Sequence, residues 1–164
     1  MVAEIHADVR GEGNRMTWYT RIAESRPPSF VIRHGEEPYL QRWHLIRRNP
    51  FFNIYLHRFD ANDEDRALHD HPWLNVSILL SGAYIEHSIR AGGVHRAVER
   101  RTGAVKFRLP WAAHRIELIT RPTWTLFITG PVIRTWGFHC PEGWRRWQDF
   151  VDRRDRGQVG RGCE

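Results

Sequence analysis

Several common features are scarce in this 164-residue chain. It holds two cysteines, Cys140 and Cys163, the second on a polar tail. Two such thiols make no disulfide framework, so a cross-linked secreted scaffold is not expected and a reducing cytoplasm fits best, with Cys140 read as an inert buried thiol. Long apolar runs are missing too: the longest, near 76–80, is far too short to span a bilayer. The opening stretch MVAEIHADVRGEGNR carries acids and no apolar core, so no signal peptide is read there and no membrane contact is expected. Lysine is nearly absent. Lys106 is the only one, and the net charge of +6 is carried by arginine. Those arginines fall in scattered pairs such as Arg47-Arg48 and Arg153-Arg154, without a basic helix or a glycine-rich phosphate loop. A nucleic-acid partner is therefore not expected, and the basic residues read as a solvated surface.

What is present points to strands. Eight tryptophans lie among many β-branched residues, a composition that favours pleated, half-buried surfaces. The length suits one domain with its own core. Residues 1–15 read as a loose arm, 16–152 as the domain and 153–164 as a frayed polar tail. The stretch 16–22 alternates and is expected as a strand. Residues 30–35 read as a short strand, and 38–46 and 52–59 as a hairpin around Arg-Arg-Asn-Pro. Apolar runs follow at 73–80, 84–89, 94–99, 104–109, 114–119, 124–129 and 132–139, divided by Gly and Pro turns. Such spacing predicts an all-β sandwich or barrel. A short helix is expected over 143–152, with Trp144 and Trp147 on one face.

Ten histidines are a surplus. His69 and His71 stand two apart, so in a strand both imidazoles point to one side. Neutral imidazoles suit zinc, iron, copper or nickel. A third histidine, His114, opens a later alternating strand after a proline turn.

These three residues carry a resemblance to the cupins, the small metal-binding jelly-roll barrels. The first cupin motif is H-x-H, three or four residues, Glu, six residues, then Gly. This chain has His69, His71, Asn75 and Gly82 at that spacing, with asparagine in place of the glutamate. The second motif is represented by Gly103, Pro110, Ala112 and His114, with Ala112 where the turn glycine belongs. The resemblance spans roughly 53–139. It implies a single-domain antiparallel jelly roll, with His69, His71 and His114 as metal ligands and Asn75 as a weaker fourth. Three histidines are similar to the thiol-dioxygenase type of cupin, which implies iron(II), although Zn2+, Ni2+, Mn2+ or Cu2+ also suit such ligands.

The resemblance adds further candidates: its pattern after the Gly82 turn implies that Tyr84 and Glu86 face inward as acid–base or substrate-orienting groups, and His57, rather than its outward neighbour Arg58, lines the cavity. Arg66, or else Arg58, is a clamp for an acidic substrate, and Trp73 and Trp111 are walls. Asp70 points away and pins a loop. The implied function is a metal-dependent oxygenase acting on a small polar or acidic molecule. The alternatives are a cupin isomerase, epimerase or dehydratase using the metal as Lewis acid, and a non-catalytic ligand-binding module. A homodimer is the expected assembly.

Overall fold

The computed structural model of the protein describes residues 16–62, 67–89 and 91–164. The expected arm over 1–15 and the candidate clamp Arg66 lie outside the described residues.

The stretch expected as a first strand is a helix, α1 (Trp18–Ser25). Thr17 caps it: its side chain accepts from the Thr20 amide, and the Thr20 hydroxyl accepts from the Thr17 amide. That reciprocal cap fixes the first turn. Tyr19, Ile22 and Ala23, three or four residues apart, then share a face against Trp43, Leu56 and Trp124.

Twelve strands follow among the described residues, in two six-stranded sheets. The first sheet holds β1 (Phe30–His34), β2 (Glu37–His44), β3 (Asn53–Phe59), β5 (Asn75–Ser81), β8 (Val105–Arg108) and β10 (Thr123–Thr129), in the order β1-β2-β3-β10-β5-β8. The second holds β4 (Leu68–His69), β6 (Ala83–Ile89), β7 (His95–Arg101), β9 (His114–Leu118), β11 (Gly137–Cys140) and β12 (Gly143–Arg146), in the order β12-β11-β4-β9-β6-β7. Every strand pairing within them is antiparallel. The expected β2–β3 hairpin is present, with Arg42 opposite His57.

The inner faces of the sheets meet in a core of Leu40, Phe59, Leu79, Tyr84 and Ile116, which fills one end of the barrel. Strand parity puts Asn75, Ser77 and Leu79 inside, as the two-residue period requires. Gly82 joins β5 to β6 at φ +98°, and a Cβ there would stand 2.5 Å from Thr123 Oγ1. Both backbone conformation and space thus demand glycine at this position of the motif.

The C-terminal third departs from expectation. Of the run 132–139, only β11 is strand; 131–136 leaves the sheet and carries Arg134 to Asp70. The helix expected over 143–152 is β12 followed by a single turn, α2 (Trp147–Phe150). Trp144 and Trp147 therefore share no helical face: Trp144 Nε1 donates to Asp70, and Trp147 stacks on Trp136 at 5.9 Å.

The tail is tied down rather than frayed. Arg33 N donates to Gly157 O at 2.7 Å, and Gln158 Nε2 to Gly35 O at 2.9 Å, which joins the tail to β1 and the turn after it. Cys140 is not a free thiol but forms a disulfide with Cys163. That bond removes the basis on which the cysteine count suggested a cytoplasmic setting. Among the described residues no helix is long and apolar enough to cross a membrane.

Candidate metal centre

His69, His71 and His114 come together. Their ligand nitrogens lie within 4.8 Å of one another, and they are the one such group of His, Cys, Asp or Glu among the described residues. Three backbone contacts assemble them. His69 pairs with His114 across β4 and β9, and with Phe138 across β4 and β11. The strand ends at His69, but the His71 amide donates to Pro110 O at 3.0 Å, which holds its side chain toward the same point. Asp70, between them, turns the other way into a buried network. It accepts from the Gly137 amide at 2.8 Å, Arg134 at 2.9 Å and Trp144 at 3.1 Å. The expected pinning role of Asp70 is its observed one.

The donor set fits a divalent transition metal. His71 Nε2 and His114 Nε2 are 3.0 Å apart. Two nitrogens bound at about 2.1 Å to one ion stand about 3.0 Å apart when the angle between them is near a right angle. Burial, helped by His69 and Arg108, holds His71 well below the usual imidazole pKa. Burial followed by Arg108 does the same to His114. Both are thus neutral, the form that binds metals.

Glu86 stands behind this group. Its Oε1 is 4.0 Å from His114 Nδ1, beyond hydrogen-bond range. It accepts from Arg108 Nε at 2.8 Å and from Arg100 Nε at 3.1 Å. Burial would raise its pKa, but the charge and hydrogen bonds of Arg108, with Lys106 and Arg100, hold it below the ordinary glutamate value. It is an anion that balances Arg108 rather than a free acid or base.

The other candidates divide. Trp73 lines the cavity and stacks on His71 at 4.9 Å. His57 lines it as well, but its Nε2 accepts from Arg42 Nε at 2.9 Å, so its proton resides on Nδ1. Burial, then Arg42, keep it neutral. Tyr84 is 1 % exposed, packs in the core and is not among the residues that line the cavity. Trp111 is 63 % exposed and walls nothing: the turn at 110–111 points it to solvent. Arg58 pairs with Asp60 at 2.7 Å and lies over Trp124, on the outer side. Asn75 is fully buried, and neither amide atom has a hydrogen-bond partner among the described residues. A buried amide left so costs about 1–3 kcal/mol unless something binds it.

The histidines open on a cavity of about 990 Å³ between the sheets, capped in part by Val151, Arg156 and Val159 of the tail region. No aspartate or glutamate is among its described lining residues. Arg42 and Arg108 are inward residues that sequence reasoning missed. No pattern marks an inward arginine in a chain with this many, and only the register with His57 and Asn75 reveals them.

No protein-family model matches the chain, and no curated protein matches it. Solved structures do. A protein with a double-stranded β-helix domain from Klebsiella pneumoniae is 12 % identical, with 77 % of this chain and 97 % of that one covered at a TM-score of 0.52. Oxalate decarboxylase of Bacillus subtilis, described with Mn(II) centres, is 17 % identical at a TM-score of 0.52, with 70 % of this chain covered. This chain spans only 30 % of that enzyme. FeII HppE in complex with substrate is 14 % identical, with 64 % and 57 % covered and a TM-score of 0.52. At such identities the likeness carries the fold alone. With the antiparallel sheets and the three convergent histidines already in place, that fold is the one the motif spacing implied: the chain folds as a double-stranded β-helix, like these proteins.

Proposed function

We propose that the protein is a metal-dependent oxygenase of the three-histidine type, acting on a small polar or acidic molecule. One observation carries this reading: three buried or half-buried imidazoles converge on a cavity that no acid lines among the described residues, with no carboxylate in the ligand set there. Three neutral ligands leave the ion its full charge and open positions, the condition of a catalytic rather than a structural site. Iron(II) is the favoured ion, and it supplies a redox-capable Lewis acid there. Manganese(II) and iron(II) in two proteins of this fold support a divalent ion. Asn75 serves as a fourth, neutral ligand, which would satisfy its unpartnered amide.

The chain's own groups have separate tasks in this reading. His69, His71 and His114 bind the ion. Glu86 and Arg108 fix the field behind His114. Trp73, stacked on His71, and Phe127, 5.8 Å from that imidazole, exclude water on the cavity side. A homodimer accompanies the reading. Val105 and Phe107 on the outer face of edge strand β8 are 64 % and 56 % exposed, a surface suited to a second copy.

Oxygen consumption by the iron-loaded protein tests the activity. Uptake coupled to loss of one compound, from a panel of small thiols, hydroxy acids and keto acids, is the expected result. Turnover of such a compound under strict anaerobiosis would replace the oxygenase reading with Lewis-acid chemistry at the same site.

A further inference from the structure

We propose that Arg42 is the seat of a substrate carboxylate, and that the substrate's apolar body runs from there over Phe127 toward the three histidines. The second half of this statement rests on the metal reading; the seat itself does not.

Arg42 lies on β2 with its side chain on the inner face, directly opposite His57 of β3. Its surroundings are unusual for a half-buried cation. Its Nε donates to the neutral His57 Nε2 at 2.9 Å, and its guanidinium carbon lies 4.9 Å from the centre of the Tyr55 ring. No carboxylate pairs with it among the described residues, and no hydrogen bond there engages its two terminal nitrogens. Burial is the first influence acting against its charge, and Arg48 adds to it. The other inward arginine, Arg108, is neutralised by Glu86. A desolvated guanidinium without a counter-ion is expensive to maintain. No acid is among the described residues that line the cavity, and Arg42 is a cation in its wall without a paired carboxylate there; a ligand can supply the negative charge.

Geometry narrows the class. With Nε committed to His57, the remaining edge offers the two terminal amino groups, whose parallel N–H bonds match a planar pair of oxygens. A carboxylate fits that edge better than a tetrahedral anion. The path to the metal site is aromatic. His57 stacks on Phe127 at 5.0 Å, and Phe127 stands 5.8 Å from His71. The ligand class is therefore a carboxylic acid with an apolar segment, anchored at one end and presented at the other. His57 is a positioning residue that fixes the edge Arg42 offers.

The test is calorimetric binding of butyrate, octanoate, phenylacetate and 4-phenylbutyrate, each against its corresponding alcohol, with inorganic phosphate as a separate arm. It is run on the metal-loaded and on the chelator-treated protein. The expected result is that at least one acid binds about tenfold or more tighter than its alcohol in both preparations. In Arg42→Gln the two should differ by about twofold or less, and Arg42→Lys should restore part of the gap; circular dichroism and the metal content of each variant certify the fold and the histidine site. Acid and alcohol binding equally, or no binding of any acid, would overturn the proposal. So would an acid preference that vanishes with the metal, since the ion would then hold the carboxylate. Phosphate matching the acids with the same dependence on Arg42 would overturn the commitment to a carboxylate. A protein that binds no metal but keeps the Arg42-dependent preference would fail the metal reading and leave the seat standing.

Discussion

At the scale of single residues, the site is built from groups held in uncharged or compensated states. His57, His71 and His114 are buried, and burial is the first cause of their lowered pKa. The consequence for stability has a definite sign. In the unfolded chain each titrates near 6.5, and in the folded chain lower, so above about pH 6.5 both states are neutral and the groups contribute nothing to the pH dependence. As pH falls below that value the unfolded chain takes up protons that the folded chain cannot. Each histidine then lowers stability by about 1.4 kcal/mol per pH unit, until its folded-state pKa is reached. Urea midpoints of the chelator-treated protein should fall continuously from pH 6.5 to pH 5. A midpoint independent of pH over that window would mean these imidazoles are not held neutral. The three histidines were legible in the sequence: His69 and His71 by their two-residue spacing, and His114 through the resemblance to the cupin motifs. Arg42 was not: an arginine on an alternating strand looks the same whichever way it faces, and Arg58, which turns outward, drew attention first.

At the scale of elements, strands were legible and helices were not. The alternation of β5, β9 and β10 survives in their burial patterns. The same alternation misled at 16–22, where Thr17 and Thr20 form a cap that outweighs it. It misled again at 143–152, where two tryptophans three apart lie across a strand-to-helix boundary. The most consequential miss was the Cys140–Cys163 disulfide, which closes a sequence separation of 23 residues. The partners could not be paired from sequence, since the tail's return to β11 is a tertiary event. A loop of this length contributes about 3 kcal/mol in the loop-entropy account. Reduction, or Cys163→Ser, should therefore lower stability by about that amount. Metal content should stay unchanged, because His69 and His114 are held by the β4–β9 pairing rather than by the tail. Equal melting temperatures with and without reductant would show the bridge to be inconsequential.

At the scale of the whole molecule, two antiparallel sheets enclose an apolar core and a cavity, and the three histidines line the cavity. This arrangement was legible as a fold through regular turn spacing and Gly82. The composition of the cavity was not, because it is set by strand pairings far apart in sequence, such as Arg42 with His57 and Asn75 with Arg108. Those pairings produce the property on which the functional reading depends: a cavity with histidines and arginines in its wall and no acid among its described residues. The central claim is that its histidines hold a divalent ion. Elemental analysis of the purified protein after iron(II) loading and desalting tests it, alongside His114→Ala and Asn75→Ala. About one ion per chain is expected in the wild type, none in His114→Ala, and affinity weakened about tenfold or more in Asn75→Ala if the amide is a ligand. No bound ion in the wild type, or equal content in His114→Ala with the fold intact, would contradict the metal centre itself.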